Sequence, residues 1–323
     1  GGGAFAPPFR VKLDLFMIDP ILLFEQLFNG VQYGILLFLL AAGLTLVFGI
    51  MDMMNLAHGS LYMMGAYIAA TVTLASESFL LGIFVALPAT LLIGVFLEVV
   101  VLRRLYDRGH LDQVLATFGM ILFFNELVRL IWGPAGIEVP LPNLLNQSVI
   151  VLGIPLPVYR IVVIGVGLLV AAFLYILVVK TRTGMLIRAG ASNREMIAAL
   201  GVNIQQVFTL VFGLGAALAA LAGLMAGPIF AATIGMGENI LIQVLVVIVI
   251  GGIGSIRGAF VGALMIGVIE ILGRSFLDDF FKLFLPVNAA ETAAPAVASM
   301  LIYILMAAVL FFRPQGLFPA RSG

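Results

Sequence analysis

Few residues in this sequence can do chemistry. The chain has two histidines, His58 and His110, and no cysteine. That excludes disulfides and thiol catalysis, and two histidines cannot build a His-rich metal site. No nucleophile stands in a pattern with a base, and no His-Glu-x-x-His motif occurs. Nor is there a Gly-x-x-x-x-Gly-Lys-Ser/Thr phosphate loop. The run Gly251–Gly258, "GGIGSIRG", is glycine-rich but lacks the lysine. An enzyme is therefore not expected, and no cofactor is called for in this chain. The polar residues that remain sit in odd places. Asp52, Asn55, His58, Gly59, Ser60 and Tyr62 interrupt two apolar runs, one uncharged from Gln26 to Met51 and the other from Ser60 to Ser76. Glu98, Glu126, Arg129, Glu238, Arg257, Glu270 and Arg274 fall in or near apolar stretches, where an ionisable group marks function by default. Most have simpler accounts. Glu126/Arg129 and Glu270/Arg274 are spaced to pair on one helix face. Glu98 is close to Arg103 and Arg104, and Glu238 suits a helix start. No chain of acids crosses the membrane, which speaks against a proton relay.

The elements that must position these residues are membrane helices. Of 323 residues, 63% are hydrophobic and 10% charged, and the mean hydropathy is +1.22. A soluble domain carries about 25% charge. Net charge is zero, so nucleic acid is not an expected partner. The predicted fold is an all-α integral membrane protein, a polytopic bundle of about 8–10 transmembrane helices with broken or short helices. Nine spans are read, at 31–51, 58–76, 79–102, 113–132, 158–179, 206–231, 239–255, 258–273 and 294–312. Residues 1–24 are expected to be an N-terminal tail with an interfacial segment. Its start, "GGGAFAPP", reads as a processed or appended tail. Residues 25–318 form one permeating domain, and 319–323 a C-terminal tail. Arg103, Arg104 and Arg108 cluster in one loop, and Lys180, Arg182, Arg188 and Arg194 in another. The positive-inside rule places both in the cytoplasm. The proline-rich loop 133–157, without a basic residue, is then outside, the N-terminus outside and the C-terminus inside.

Two segments interrupt spans in the two halves of the chain: "NLAHG" at 55–59, and "GGIGS" at 251–255. Paired breaks point to a transport pathway. Each is read either as a helix break facing an internal cavity or as a tight turn at the cytoplasmic face. His58 is likewise either a turn residue or a substrate contact. The small-residue stretch Phe212–Gly227 suits close helix packing inside the bundle or a subunit interface. The segment 180–205 is too long for a simple helix–helix connection. Ser192 with Glu195 forms a capping box, and Gly201 suits a C-terminal cap. A short helix over 193–200 is predicted against the membrane face, ready to dock a soluble partner.

Four stretches together resemble a known family: "GLTLVFGIMDMMNLAHGSLYMMGAY", "RTGMLIRAGASNREMIAALGVN", "VLVVIVIGGIGSIRGAFVGALMIGVIE" and "FFRPQGLF". In order and spacing they are similar to the branched-chain amino acid ABC importer permeases of the LivH type. The resemblance implies a bacterial inner-membrane heterodimer with a sister permease of the LivM type. It implies two cytoplasmic ATPase subunits, with ATP and magnesium bound there, and a periplasmic substrate-binding protein. It makes 188–203 the segment that docks on the ATPase. Arg188, Asn193, Arg194, Glu195, Ala198, Ala199 and Gly201 are its coupling residues, although the full Glu-Ala-Ala signature is absent. The expected pathway residues are Asn55, His58, Gly59, Ser60, Tyr62, Gly251, Gly252, Gly254 and Ser255. Competing expectations are a self-sufficient ion-coupled carrier or channel, and a membrane scaffold.

Overall fold

The computed structural model describes residues 20–318, apart from Met54 and Leu152. The expected tail before residue 20 and the segment 319–323 lie outside the described residues. Eleven α-helices are seen among the described residues: α1 (Pro20–Met51), α2 (His58–Ser76), α3 (Phe79–Val100), α4 (His110–Trp132), α5 (Val158–Lys180), α6 (Arg182–Ser192), α7 (Arg194–Ala199), α8 (Ile204–Phe230), α9 (Met236–Gly251), α10 (Ile256–Lys282) and α11 (Val287–Phe312). Seven of them (α1, α3, α4, α5, α8, α10 and α11) are long and apolar enough to cross a membrane. The shorter α2 and α9, of 19 and 16 residues, fall on two more of the nine stretches read as spans but are not among the seven helices long and apolar enough to cross. The chain is a polytopic all-α membrane protein.

Helix α1 starts at Pro20, so residues 20–29 extend the first span. Its 32 residues reach about 48 Å, more than the ~30 Å hydrocarbon core. It runs through the middle of the bundle, and 89% of its most apolar window is buried. Small residues at i, i+4 spacing allow this. Gly30 and Gly34 of α1 face Ala263 and Gly267 of α10, and a Cβ on Gly34 would come within 2.8 Å of the Ala263 carbonyl oxygen. The stretch 212–227 on α8 works the same way. Gly215 meets α1, and Gly223 lies on the Tyr62 carbonyl of α2. This stretch is packing within the bundle. Outside this core, α11, α5, α4 and α3 present exposed Phe84, Phe96, Leu130, Leu169 and Phe311. Such faces suit lipid.

The loop 133–157 holds an unforeseen hairpin. Strands β1 (Ser148–Val151) and β2 (Ile154–Pro157) pair antiparallel, with Ser148 opposite Pro157. Its two prolines are tolerable because a two-stranded ribbon is all edge. An isolated bridge ties Ile137 to Ala232, just past α8.

The segment 180–205 is more ordered than a loop carrying one helix. Thr181 caps α6, accepting from Gly184 N at 3.0 Å. Asn193, and not Ser192, caps α7, accepting from Met196 N at 2.9 Å. Ser192 is instead the last residue of α6, which leaves its neighbour free to turn the chain. Asn203 then caps α8, accepting from Gln206 N at 3.3 Å. Three short polar caps in succession force two sharp turns at one end of the bundle.

Candidate functional site

The two breaks have different structures. At the first, α1 ends at Met51 and Asp52 takes a positive φ of 48°. Asn55 accepts from Ala57 N at 3.1 Å through Oδ1, and α2 begins at His58. His58 is fully buried between α1 and α8. A Cβ on Gly43 would sit 3.0 Å from its Nε2, and one on Gly215 3.5 Å from its Cε1. Gly43 lies eight residues before Met51, about 12 Å back along the α1 axis. The chain thus turns back into the bundle before α2 starts, a helix break rather than a surface turn. The His58 ring reaches at best the Leu40 backbone, and Thr45 Oγ1 and Asn55 Nδ2 have no hydrogen-bond partner among the described residues. One residue on, Gly59 touches the backbone of Gly237 on α9, and Ser60 is buried.

The second break is the tight turn. Gly252 (φ 105°) and Gly254 (φ 78°) reverse the chain, and Ser255 caps α10 by accepting from Gly258 N at 3.1 Å. Gly251 packs on Gly258. The last carbonyls of α9 would be unpaired, but the C-terminal stretch returns to cover them. Leu317 N donates to Ile250 O at 2.8 Å and Phe318 N to Gly251 O at 2.9 Å. The "RPQGLF" stretch is therefore a clasp on this turn. Gly254 lies against Gly49 of α1, whose Cβ would be 3.2 Å from the Gly254 Cα.

Two cavities lie along α1. The larger, of about 660 Å³, opens at the face that carries the basic loops. Thr45, Gly49 and Asp52 of the first break border it, as do Gly254 of the second and Arg188, Asn193, Arg194 and Glu195 of α6–α7. Four of the expected coupling residues thus meet one expected pathway residue around a single space. Ala198, Ala199 and Gly201 stand outside it, exposed, and Gly201 ends α7 with φ 86°. Arg188 also donates to the Val178 carbonyl. The apolar Met196 and Leu200 of this segment are 61% and 78% exposed, while Ile197 anchors it in the core.

The smaller cavity, of about 270 Å³, is at the opposite face. Tyr62 is the one expected pathway residue that reaches it. Its other polar lining is Tyr33, Thr233, Asn239 and Gln243, none of which was singled out from the sequence. Asn239 and Gln243 are spaced i, i+4 in a helix that is otherwise aliphatic after Glu238. That spacing was the available signal. Tyr33 donates to the Gln243 side-chain oxygen, joining α1 to α9.

The intramembrane charges are largely paired. Glu98 is fully buried and accepts from Arg103 Nε at 3.2 Å, Arg103 Nη2 at 3.1 Å, Tyr106 at 2.6 Å and Thr209 at 2.7 Å. Burial, and then the Glu98 carboxylate, push the Tyr106 phenol above its ordinary pKa, so it remains a donor. This knot ties α3 to the start of α8. Glu126 pairs with Arg129 at 2.6 Å, and Glu270 with Arg274 at 2.6 Å. Glu238 sits in the first turn of α9 and accepts from Asn125. Arg257 lies over the Tyr175 ring, 5.6 Å from its centroid.

Comparison with known proteins bears on this arrangement. Residues 26–310 match the family described as branched-chain amino acid transport system / permease component. The high-affinity branched-chain amino acid transport system permease protein BraD of Pseudomonas aeruginosa is 31% identical over 308 residues, 91% of this chain and 94% of that protein. The corresponding protein LivH of Salmonella typhimurium is 33% identical over 275 residues, 80% of this chain and 88% of that one. LivH of Escherichia coli is 32% identical over the same length. No solved structure matches the chain.

Proposed function

The chain belongs to the family of branched-chain amino acid transport system permease components, and from that premise we propose that it is one of two membrane subunits of an ATP-driven importer for branched-chain amino acids. The sister permease, of the LivM type, completes the translocation pathway. Two cytoplasmic ATPase subunits bind ATP and magnesium, and an external binding protein delivers substrate. This chain itself is not catalytic. It lies in a bacterial inner membrane with its N-terminus outside and its C-terminus in the cytoplasm, because the basic loops belong inside.

The observation that carries the reading is the segment 182–201. It is a doubly capped pair of helices with Met196 and Leu200 exposed, and it borders the 660 Å³ cavity on the basic face. A docked ATPase would cover those apolar side chains. Movement of α6–α7 then acts on Asp52 and Gly254 directly, through the shared cavity. It acts on α8 through the chain itself, and α8 carries Gly215 against His58. ATP supplies the differential binding energy to the partner, and alternating access follows from the linkage. Within this reading Asn55, His58, Gly59 and Ser60 line the moving break. Gly251, Gly252 and Ser255 brace the turn that faces it.

The test is extraction of the chain from its native membrane in mild detergent, with stoichiometric identification of what accompanies it. A second permease and two ATPase subunits are expected. A stable homo-oligomer without an ATPase, taking up solute on an ion gradient alone, would overturn the importer in favour of a self-sufficient carrier.

A further inference from the structure

The smaller cavity has the features of a ligand site that the break and the coupling segment do not supply. Its volume, about 270 Å³, lies just below the ~300 Å³ at which drug-sized pockets begin, so it suits one small solute. Its wall is divided. Phe230, Met236 and Ile240 form an apolar side. Opposite them are groups with hydrogen-bonding capacity left over. Gln243 uses its side-chain oxygen on Tyr33, which leaves both amide hydrogens free. Tyr62 is 2% exposed and borders the cavity, and neither its hydroxyl nor the Asn239 amide has a hydrogen-bond partner among the described residues.

No charged side chain lines the space, yet charge is close by. Met236 and Asn239 belong to the first turn of α9, where Glu238 already supplies the negative charge that a helix start favours and the Met236, Glu238 and Asn239 amides already donate to Thr233 and Gly235. The buried Glu270 carboxylate is outside the lining and is paired with Arg274. The backbone is strained at the same place. Ala231 borders the cavity with φ 59° and ψ 158°, a region that belongs essentially to glycine. The Ile137–Ala232 bridge, with both N–H···O contacts at 2.8 Å, holds it there. Strain of this kind concentrates at ligand clamps.

We propose that this cavity holds the transported solute, a zwitterionic amino acid with an aliphatic side chain. The carboxylate faces the Tyr62 hydroxyl and the Gln243 amide hydrogens. The ammonium lies toward the Asn239 side-chain oxygen, and the aliphatic chain packs on Phe230, Met236 and Ile240. The identity of the solute rests on the importer reading, but the location of the site does not.

The natural absence of cysteine allows a direct test. Asn239→Cys is placed in the full importer in membrane vesicles, and its maleimide labelling rate is measured with binding protein, ATP and L-leucine, glutamine or urea. Thr292→Cys, exposed at the start of α11, is the control. Leucine is expected to slow labelling at position 239 at least fivefold and to leave position 292 unchanged. Gln243→Leu is expected to lower leucine uptake at least tenfold with subunit association intact. If Gln243→Leu fails to assemble, Asn239→Leu replaces it, since that side chain holds nothing else in place. Protection by urea alone would sink the amino-acid reading and keep the site. Wild-type leucine uptake with no protection by any of the three, and with normal uptake in the leucine variants, would sink the site and keep the importer.

Discussion

His58 is a buried imidazole that reaches at best the Leu40 backbone, and Thr45 Oγ1 and Asn55 Nδ2 lack partners among the described residues. Each such group costs about 1–3 kcal/mol. A packed core would not retain such groups for stability. Replacing His58 with leucine removes a fully buried polar ring and fills similar space. The melting temperature of purified His58→Leu should hold or rise, while leucine uptake falls at least severalfold. Uptake at the wild-type rate would return His58 to a purely packing role. The neighbouring glycine is constrained by contact alone. A Cβ at Gly59 would overlap the Gly237 carbonyl, where backbone meets backbone and neither can yield. Gly59→Ala should destabilise the bundle by about 1–3 kcal/mol or more, read as a lower melting temperature.

At the scale of elements, helix α7 is too short to stand on its own hydrogen bonds. It depends on its caps and on the buried Ile197. Asn193→Ala removes the N-cap, worth about 1 kcal/mol, and should fray α7 without disturbing α8. Gly201→Pro is more severe, because proline requires a φ near −65° where the structure has 86°. Both variants, and Arg194→Glu, should lower ATPase co-purification while the bundle stays folded, and normal recovery would remove the docking assignment. The C-terminal clasp is a separate element with its own test. At Gly316, φ is 81°, and a Cβ would come 2.6 Å from the Gly252 Cα. Gly316→Val should release the clasp, unpair the α9 carbonyls and expose residues 313–318 to limited proteolysis.

Over the whole molecule, burial divides the helices into two groups. The window in α1 is 89% buried and that in α8 67%, against 22% in α4, 17% in α5 and 11% in α11. Helix α1 borders both cavities and ends at the first break, and the peripheral helices carry the exposed apolar surface. The proposed orientation makes a clear prediction in this cysteine-free chain. Arg108→Cys should react with a membrane-impermeant thiol reagent only after the cells are opened, and Asn146→Cys in intact cells. The reverse pattern would invert the topology and place the 182–201 segment out of reach of any ATPase.

The sequence alone determined the solvent, the helix class and the seven long apolar helices among its nine expected spans, because these follow from local composition and run length. It also determined which segment would hold a capped helix beside the membrane, since caps act within a few residues. It placed that cap at Ser192 instead of Asn193, and it did not reveal α6 or the hairpin, whose pairing depends on neighbours. The two breaks looked alike in one dimension. Only packing made "NLAHG" re-enter the bundle, where Gly43 and Gly215 leave room for His58, and made "GGIGS" a turn closed by the far end of the chain. The small cavity was hidden for the same reason. Tyr33, Tyr62 and Gln243 come from three helices far apart in sequence, and no local pattern records that they meet.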